Sequence, residues 1–408
     1  MTDDEIVEGR LALFDHRRGR MMAIFSVIVT LGVAVMFFVD TNSKLEAGDT
    51  QSVEIDFFVF WGAAKLAAAG VPLEALNPES VREAAGVTGE EWMPWSYPPA
   101  FLLALTPLAS LGFQAAWAAF VAVSIAAIVL ATRPLVGGRL PLLCIAALAP
   151  AFGPALLMGQ TSTLWAAGLV AAMVALKNNR LILAGMFLGL LTFKPQMGLL
   201  IPVALIAMGA WPSVVSAALS CAVIMGTATL VFGWDYWPGW LEMTALHSDT
   251  VRSSISEVIL MVSPYSMFSG MGIPEQIALN LQLPITVFCA AAVFLTWRRE
   301  QVNLDAKAAV LITSILLSSP YLWFYETALL APAALFMLRA GILRLEPWGI
   351  CLGIAMWLGL ALHVMASMEW NEADILRFYI VPLTVAALLT CLNHVRKANG
   401  AHQTASAI

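Results

Sequence analysis

Apolar residues run through this chain in long blocks, separated by short charged, Gly-containing or Pro-containing breaks. The first block, Met21 to Val39, is about 20 residues long, enough for a helix to cross a hydrocarbon core of about 30 Å. No small-residue cleavage pattern follows it, so it reads as a retained anchor rather than a secretory signal. Comparable blocks predict further spans over 112–132, 141–158, 161–176, 181–193, 197–211, 213–232, 275–297, 308–324, 327–343, 347–366 and 376–394. The expectation is an all-α polytopic membrane protein, a bundle of about 12 transmembrane helices, folded as a single integral membrane domain over residues 1–408. Two stretches depart from the pattern. Pro99 to Leu111 is apolar but reaches only about 20 Å as a helix, short of the hydrocarbon core, and reads as re-entrant or interfacial. Val258 to Gly272, with Pro264 and several Gly and Ser residues, reads as a second embedded segment. The spans between 181 and 211 are short and broken at Lys194-Pro195-Gln196, an interruption tolerated at that depth only where protein or a wet cavity satisfies the backbone.

Composition supports the membrane class. The 408 residues are 60% hydrophobic and 12% charged, well below the charged share of about 25% typical of soluble domains, and mean hydropathy is +0.82. Cys144, Cys221, Cys289, Cys351 and Cys391 all lie in apolar runs without a CxxC or paired spacing, so neither a disulfide framework nor a thiolate metal site is expected.

Charge placement sets the orientation. Arg17, Arg18 and Arg20 precede the first span and place the N-terminal tail, 1–19, in the cytoplasm. Counting spans from there puts Arg133, Arg139, Lys177, Arg180, Arg298, Arg299, Lys307, Arg339 and Arg344 on the same side, together with the C-terminal tail, 395–408. Of the 21 Lys and Arg residues, only Lys44, Lys65, Arg82, Lys194, Arg252 and Arg377 then fall outside. Shifting the parity by one span would invert most of this bias. The longer polar connections, 41–98, 233–274 and 367–375 with Glu369, Glu372 and Asp374, all lie on the outer face, with interfacial helices expected in these loops. Outer loops above a bundle are where a site can be built.

Asp56, in Glu54-Ile55-Asp56-Phe57-Phe58-Val59-Phe60-Trp61, is the sharpest candidate. An ionisable group at the water edge of an apolar bundle is expensive to hold, which marks it as functional, here as a general base. The competing reading is a helix cap, because Phe57, Phe60, Trp61, Ala64 and Leu66 to Ala69 pattern as an amphipathic helix lying on the membrane that Asp56 would begin. Tyr97, in Trp95-Ser96-Tyr97-Pro98-Pro99, stands where the chain enters the apolar segment, with an aromatic belt and a turn as the alternative. Gln160, in Met158-Gly159-Gln160-Thr161-Ser162, can hydrogen-bond a sugar or cap a helix. Lys194 is a lone cation on the side depleted in positive charge and suits a phosphate; the alternative is a snorkelling side chain. Gln196 follows it. Tyr325 and Glu326 close the 308–324 span at the same level, with Glu326 placed to orient an acceptor or to pair with Arg252, Arg377 or Lys194. Trp234, Asp235, Tyr236, Trp237, Pro238 and Trp240 suit either sugar stacking or the headgroup region. His247 and Asp249 are too isolated to read as metal ligands.

No Walker loop, GxGxxG, HExxH or GxSxG occurs, so nucleotide hydrolysis and soluble nucleotide-sugar chemistry lack their phosphate-binding apparatus. The order Asp56 to Trp61, Ala63-Ala64, Gly70, Tyr97-Pro98-Pro99, Gly159-Gln160, Ala184-Gly185, Lys194-Pro195 and Tyr325-Glu326 resembles the membrane glycosyltransferases of family 87, which include polyprenyl-phosphate-mannose-dependent mannosyltransferases. The resemblance implies a GT-C-like fold and a transferase of cell-envelope glycan synthesis in the inner (plasma) membrane, with its active site extracytoplasmic. It further implies a polyprenyl-phosphate-linked sugar as donor, with mannose preferred, a lipid or glycan as acceptor, and Asp56 as base in an inverting transfer. Lys194, with Arg252 or Arg377, is expected to hold the donor phosphate, and Tyr97, Gln160, Gln196, Tyr325 and Glu326 to contact substrate. The family motif more often ends Tyr-Asp, so Glu326 is a departure. No cofactor and no metal are expected, because the outer loops carry no DxD-like carboxylate pair; Asp3-Asp4 is at the cytoplasmic terminus. Membrane lipids are the expected surroundings, and no nucleic-acid partner is expected. The rival reading is a transporter or flippase of a lipid-linked sugar, for which breaks at Pro107, Pro195 and Pro264 would serve passage; no internal repeat pairs these breaks.

Overall fold

The computed structural model describes residues 3–48, 55–88, 93–256, 258, 260–344, 346–360 and 375–406. The expected third outer loop, with Glu369, Glu372 and Asp374, lies outside the described residues, as do parts of the first. Within the described residues the fold is helical throughout, apart from one isolated antiparallel bridge between Met261 and Trp323.

A short helix α1 (Asp3–Leu11) leads into α2 (Arg17–Glu46), the first long apolar helix. The first loop forms α3 (Phe57–Ala68) and α4 (Pro78–Ala85), and Asn77 caps α4 by accepting from Glu79 N–H. Then come α5 (Pro99–Leu105), α6 (Phe113–Thr132), α7 (Leu140–Ala147) and α8 (Gly153–Leu157). The middle of the chain supplies α9 (Ser162–Lys177), α10 (Leu181–Leu190), α11 (Leu200–Met208) and α12 (Trp211–Phe232). The second loop forms α13 (Tyr236–Ser253) and α14 (Pro264–Gly270), and α15 (Glu275–Trp297), α16 (Leu304–Ser318), α17 (Leu330–Ala340), α18 (Pro347–Leu358) and α19 (Ile375–Ser406) complete the bundle.

Among the described residues, six helical stretches are long and apolar enough to cross a membrane: Arg17–Glu46, Phe113–Leu135, Leu140–Leu157, Trp211–Phe232, Glu275–Trp297 and Leu376–Lys397. A helix stands at each of the other expected spans, but α9, α10, α11, α16, α17 and α18 are shorter, so by length and composition six of the about 12 expected spans are marked here. The reason lies in where these helices sit. α16 is buried from Asp305 to Ser318, and α10 and α11 are separated by 3-10 turns around Pro195. Much of the outer surface is apolar: Met21, Ile28 and Val35 on α2, Leu219, Val223 and Leu230 on α12, and Leu283 and Val287 on α15 are exposed, as are Ile182 and Met186 on α10. A continuous apolar exterior suits lipid contact, not water.

Close packing between α10 and α12 follows from small residues. A Cβ on Gly185 would lie 2.3 Å from Ser213 O, and one on Gly189 2.6 Å from Ala217 O. The backbones therefore approach, and Ser213 and Ser216 hydroxyls donate across to Leu181 O and Ile182 O at 2.7 and 2.6 Å.

The segment after Tyr97 begins and ends beside α3. Tyr97 at its start packs on Phe60, with ring centroids 5.1 Å apart, and Leu111 O at its end accepts from the Trp61 indole at 3.1 Å. Both ends thus stay beside consecutive residues of α3. The α3 helix is not a surface helix with one apolar face, as the sequence suggested. Phe57, Phe58, Phe60, Gly62, Ala63, Ala64 and Ala67 are all buried, and Phe57 and Phe58 pack on Phe113 while Phe60 packs on Phe101.

Candidate active site

Three local devices bring the polar breaks of the chain to one end of the bundle. At the α8–α9 turn, Gly159 adopts φ +64, and a Cβ there would meet Phe57 Cβ at 2.6 Å. Only glycine fits this left-handed, crowded position, and its absence of side chain lets the start of α3 dock, with Phe57 N–H donating to Met158 O at 3.1 Å. Between α10 and α11, Pro195 pushes the preceding residue out of helical geometry, and Lys194 is held at φ −128, ψ 74. At the start of the 324–329 turn, a short antiparallel pairing, Val262 N–H to Leu322 O and Phe324 N–H to Leu260 O, fixes the approach to Tyr325 and Glu326.

These devices surround a cavity of about 740 Å³ lined by Asp56, Tyr97, Gln160, Lys194, Gln196, Tyr325 and Glu326. Seven of the residues singled out in the sequence therefore meet at one place. The Asp56 carboxylate accepts from Gln160 Nε2 at 2.7 Å. It makes no hydrogen bond to the turn it begins, and its backbone is already helical (φ −57, ψ −23), so the helix-cap reading is not realised. Burial raises the Asp56 pKa above the ordinary carboxylate range, and the Gln160 hydrogen bond and the Lys194 charge oppose that rise. Tyr97 O–H donates to Gln160 Oε1 at 3.0 Å. Its phenol is pushed well up by burial and then by the Asp56 and Glu326 charges, so it stays a hydrogen-bond donor.

Lys194 and Glu326 form a buried ion pair, Nζ to Oε1 3.2 Å. The ammonium also reaches Ser162 Oγ at 3.3 Å and lies over the Tyr325 ring, 4.7 Å from its centroid. The second carboxylate oxygen of Glu326 accepts from Trp323 N–H at 2.9 Å. Of the partners the sequence offered to Glu326, the structure selects Lys194. Glu326 thus bridges Lys194 and the Trp323 amide with its two carboxylate oxygens.

Two expectations are corrected. Arg252 and Arg377 do not line the cavity. Arg252 is half-exposed and pairs with Glu275 at 2.9 Å. Arg377, at the start of α19, is fully buried and donates to Ser266 O and Ser256 O at 3.0 and 3.2 Å, which ties α19 to the second loop. The aromatic-belt alternative is also not realised at Trp95, which is fully buried and donates to Tyr236 OH at 2.8 Å. In the second loop Tyr236 is core, Trp234 is exposed, and Trp240 lines the cavity with its indole donating to Ser96 O. His247 also lines the cavity. Sequence reasoning missed Ser162 and Phe193; Ser162 stood in the quoted polar string, and Phe193, stacked on Phe101 at 5.4 Å, adjoins Lys194.

The family model described as Glycosyltransferase family 87 matches residues 95–320, more than half of the chain. The match includes Tyr97, Gln160, Ser162 and Lys194, while Asp56, Tyr325 and Glu326 lie outside it. No curated protein and no solved structure matches the chain.

Proposed function

The chain belongs to glycosyltransferase family 87, and from that membership we propose that this membrane glycosyltransferase moves a sugar, by preference mannose, from a polyprenyl-phosphate carrier to a lipid or glycan acceptor at the extracytoplasmic face of the plasma membrane. The observation that supports this reading most is the placement of one carboxylate, Asp56, in a cavity that also holds a buried cation, Lys194. The donor's tail lies among lipid or between helices, its phosphate faces Lys194, and its sugar enters the cavity. Asp56 takes the proton of the acceptor hydroxyl as that oxygen bonds to the anomeric carbon. The bond from the anomeric carbon to the phosphate oxygen breaks on the opposite side, and polyprenyl phosphate leaves with the bonding pair, inverting the centre. A positioned base contributes about 10² to 10⁴ in rate, and a cation at the leaving phosphate acts without a metal ion. The charge segregation supports the outer face: the residues expected inside gather at the opposite end, where Arg139 meets Glu8 and Asp15, and Lys177 and Arg339 meet Asp305.

Asp56→Asn tests the proposal. The amide keeps the size and the Gln160 contact side of the carboxylate but cannot accept a proton, so the variant is expected to fold and bind polyprenyl-phosphate mannose while losing transfer by about 10² or more. Robust transfer by the purified Asn protein, with unfolding temperature unchanged, would end the case for Asp56 as base.

A further inference from the structure

Gln160 and Tyr97 line the cavity, and the sequence placed both among substrate contacts; their hydrogen bonds point elsewhere. Gln160 Oε1 accepts from two donors, Tyr97 O–H at 3.0 Å and Thr161 N–H at 3.2 Å. A backbone N–H can only donate, so the atom facing it must be the amide oxygen. That fixes which way the amide points, independently of how nitrogen and oxygen are told apart. Its nitrogen is therefore turned to Asp56 Oδ2, at 2.7 Å. Gln160 is itself buried, 5% exposed, and its oxygen and one amide hydrogen are committed to these bonds. Among the described residues Asp56 Oδ1 has no hydrogen-bond partner, and it is the oxygen left for a proton from the cavity.

We propose that Gln160, locked by Tyr97 and the Thr161 amide, is a positioning residue that acts through Asp56: it aims the carboxylate and holds it ionised, and it does not bind substrate. The inference rests on Asp56 being the base. The physical reason is that an N–H donated to a carboxylate favours its charged form, against the burial that opposes it. Tyr97 serves the same end one step away, because its hydroxyl holds the amide in the required orientation. The other charged or titratable side chains that share this cavity are Lys194, Glu326, Tyr321, Tyr325 and His247. Glu79, Arg82 and Glu83 of α4, which packs on α3, do not line it.

The test is the pH dependence of kcat for purified protein in detergent, given radiolabelled polyprenyl-phosphate mannose with a total membrane lipid extract as acceptor. Gln160→Leu removes the donor and is expected to move the acid limb of the profile up by about one pH unit, the size of one hydrogen bond to a charged group. Tyr97→Phe keeps the ring and loosens only the lock, so its limb should move the same way by less. Tyr97→Phe is close to isosteric and keeps the test open if Gln160→Leu does not fold. An unmoved acid limb in both variants, with a raised KM for the donor or acceptor, would overturn the proposal and return both residues to substrate binding. Asp56→Asn in the same assay separates the two claims: if it abolishes transfer while the Gln160 and Tyr97 profiles stay fixed, only the positioning role falls. If it retains transfer, the base reading falls and the positioning role with it.

Discussion

Two buried ion pairs stand at opposite ends of this bundle, and they are built differently. At the end that gathers the arginines expected inside, Asp305 is held on both oxygens: Arg339 Nε reaches Oδ1 at 3.0 Å and Nη2 reaches Oδ2 at 3.3 Å, with Lys177 on Oδ2 at 3.3 Å. Arg339 further donates to Leu135 O, and Arg10 closes over it by donating to Arg339 O at 2.9 Å. The fork of the guanidinium matches the carboxylate, and the cluster joins α1, α9, α16, α17 and the turn after α6. Each of these charged side chains has a protein partner. At the other end Lys194 and Glu326 make a single contact at 3.2 Å, beside a cavity that holds a second carboxylate. A compact ammonium with only one ionic partner can take on an arriving anion; a guanidinium already engaged on several sides cannot. The first pair reads as a clamp and the second as part of a site.

The contrast predicts different responses to the loss of one partner. Asp305→Ala strands a buried guanidinium, for which about 3–5 kcal/mol of stability is expected to be lost. Thermal unfolding in detergent should show it, with transfer per folded molecule close to wild type. Lys194→Ala should differ in transfer: per folded molecule it falls about 10² to 10³, the loss seen when one donor to a developing charge is removed, on top of the stability lost by stranding the buried Glu326 carboxylate. Lys194→Arg should recover part of the rate, since the charge survives and the geometry does not. Equal transfer by all three forms at 194 would reduce this pair to a second clamp.

A smaller effect concerns pH. As the proposed base, Asp56 would work deprotonated, and burial raises its pKa; transfer is therefore expected above that raised value and lost as pH falls through it. The acid limb of kcat is expected above the ordinary Asp value of about 3.9. A limb at or below that value, measured across the acid range in protein that stays folded, would mean that Asp56 is not the titrating base.

The candidate site was largely legible in the sequence because ionisable and amide side chains stand out against apolar runs, and the span count assigned Asp56, Tyr97, Gln160, Lys194 and Glu326 to one side. What sequence supplies is height along the membrane normal; lateral position depends on packing. Arg252 and Arg377 have the expected height but belong to α13 and α19, whose contacts draw them to Glu275 and to the carbonyls of Ser256 and Ser266. Trp95 and Tyr236 were misread for the same reason: a membrane-edge aromatic and a core aromatic look alike until a partner 141 residues away is seen. The span count fell short at helices such as α16, whose burial inside protein frees them from bilayer length.

The central claim is that Asp56 and Lys194 act on opposite sides of one anomeric carbon, from the same cavity. A structure of the protein with a non-hydrolysable polyprenyl-phosphate-sugar analogue tests it most directly. The account predicts the phosphate within hydrogen-bond distance of Lys194 Nζ and the anomeric carbon between it and Asp56 Oδ1. A phosphate bound at the Asp305–Arg339 end, or a sugar turned away from Asp56, would contradict it.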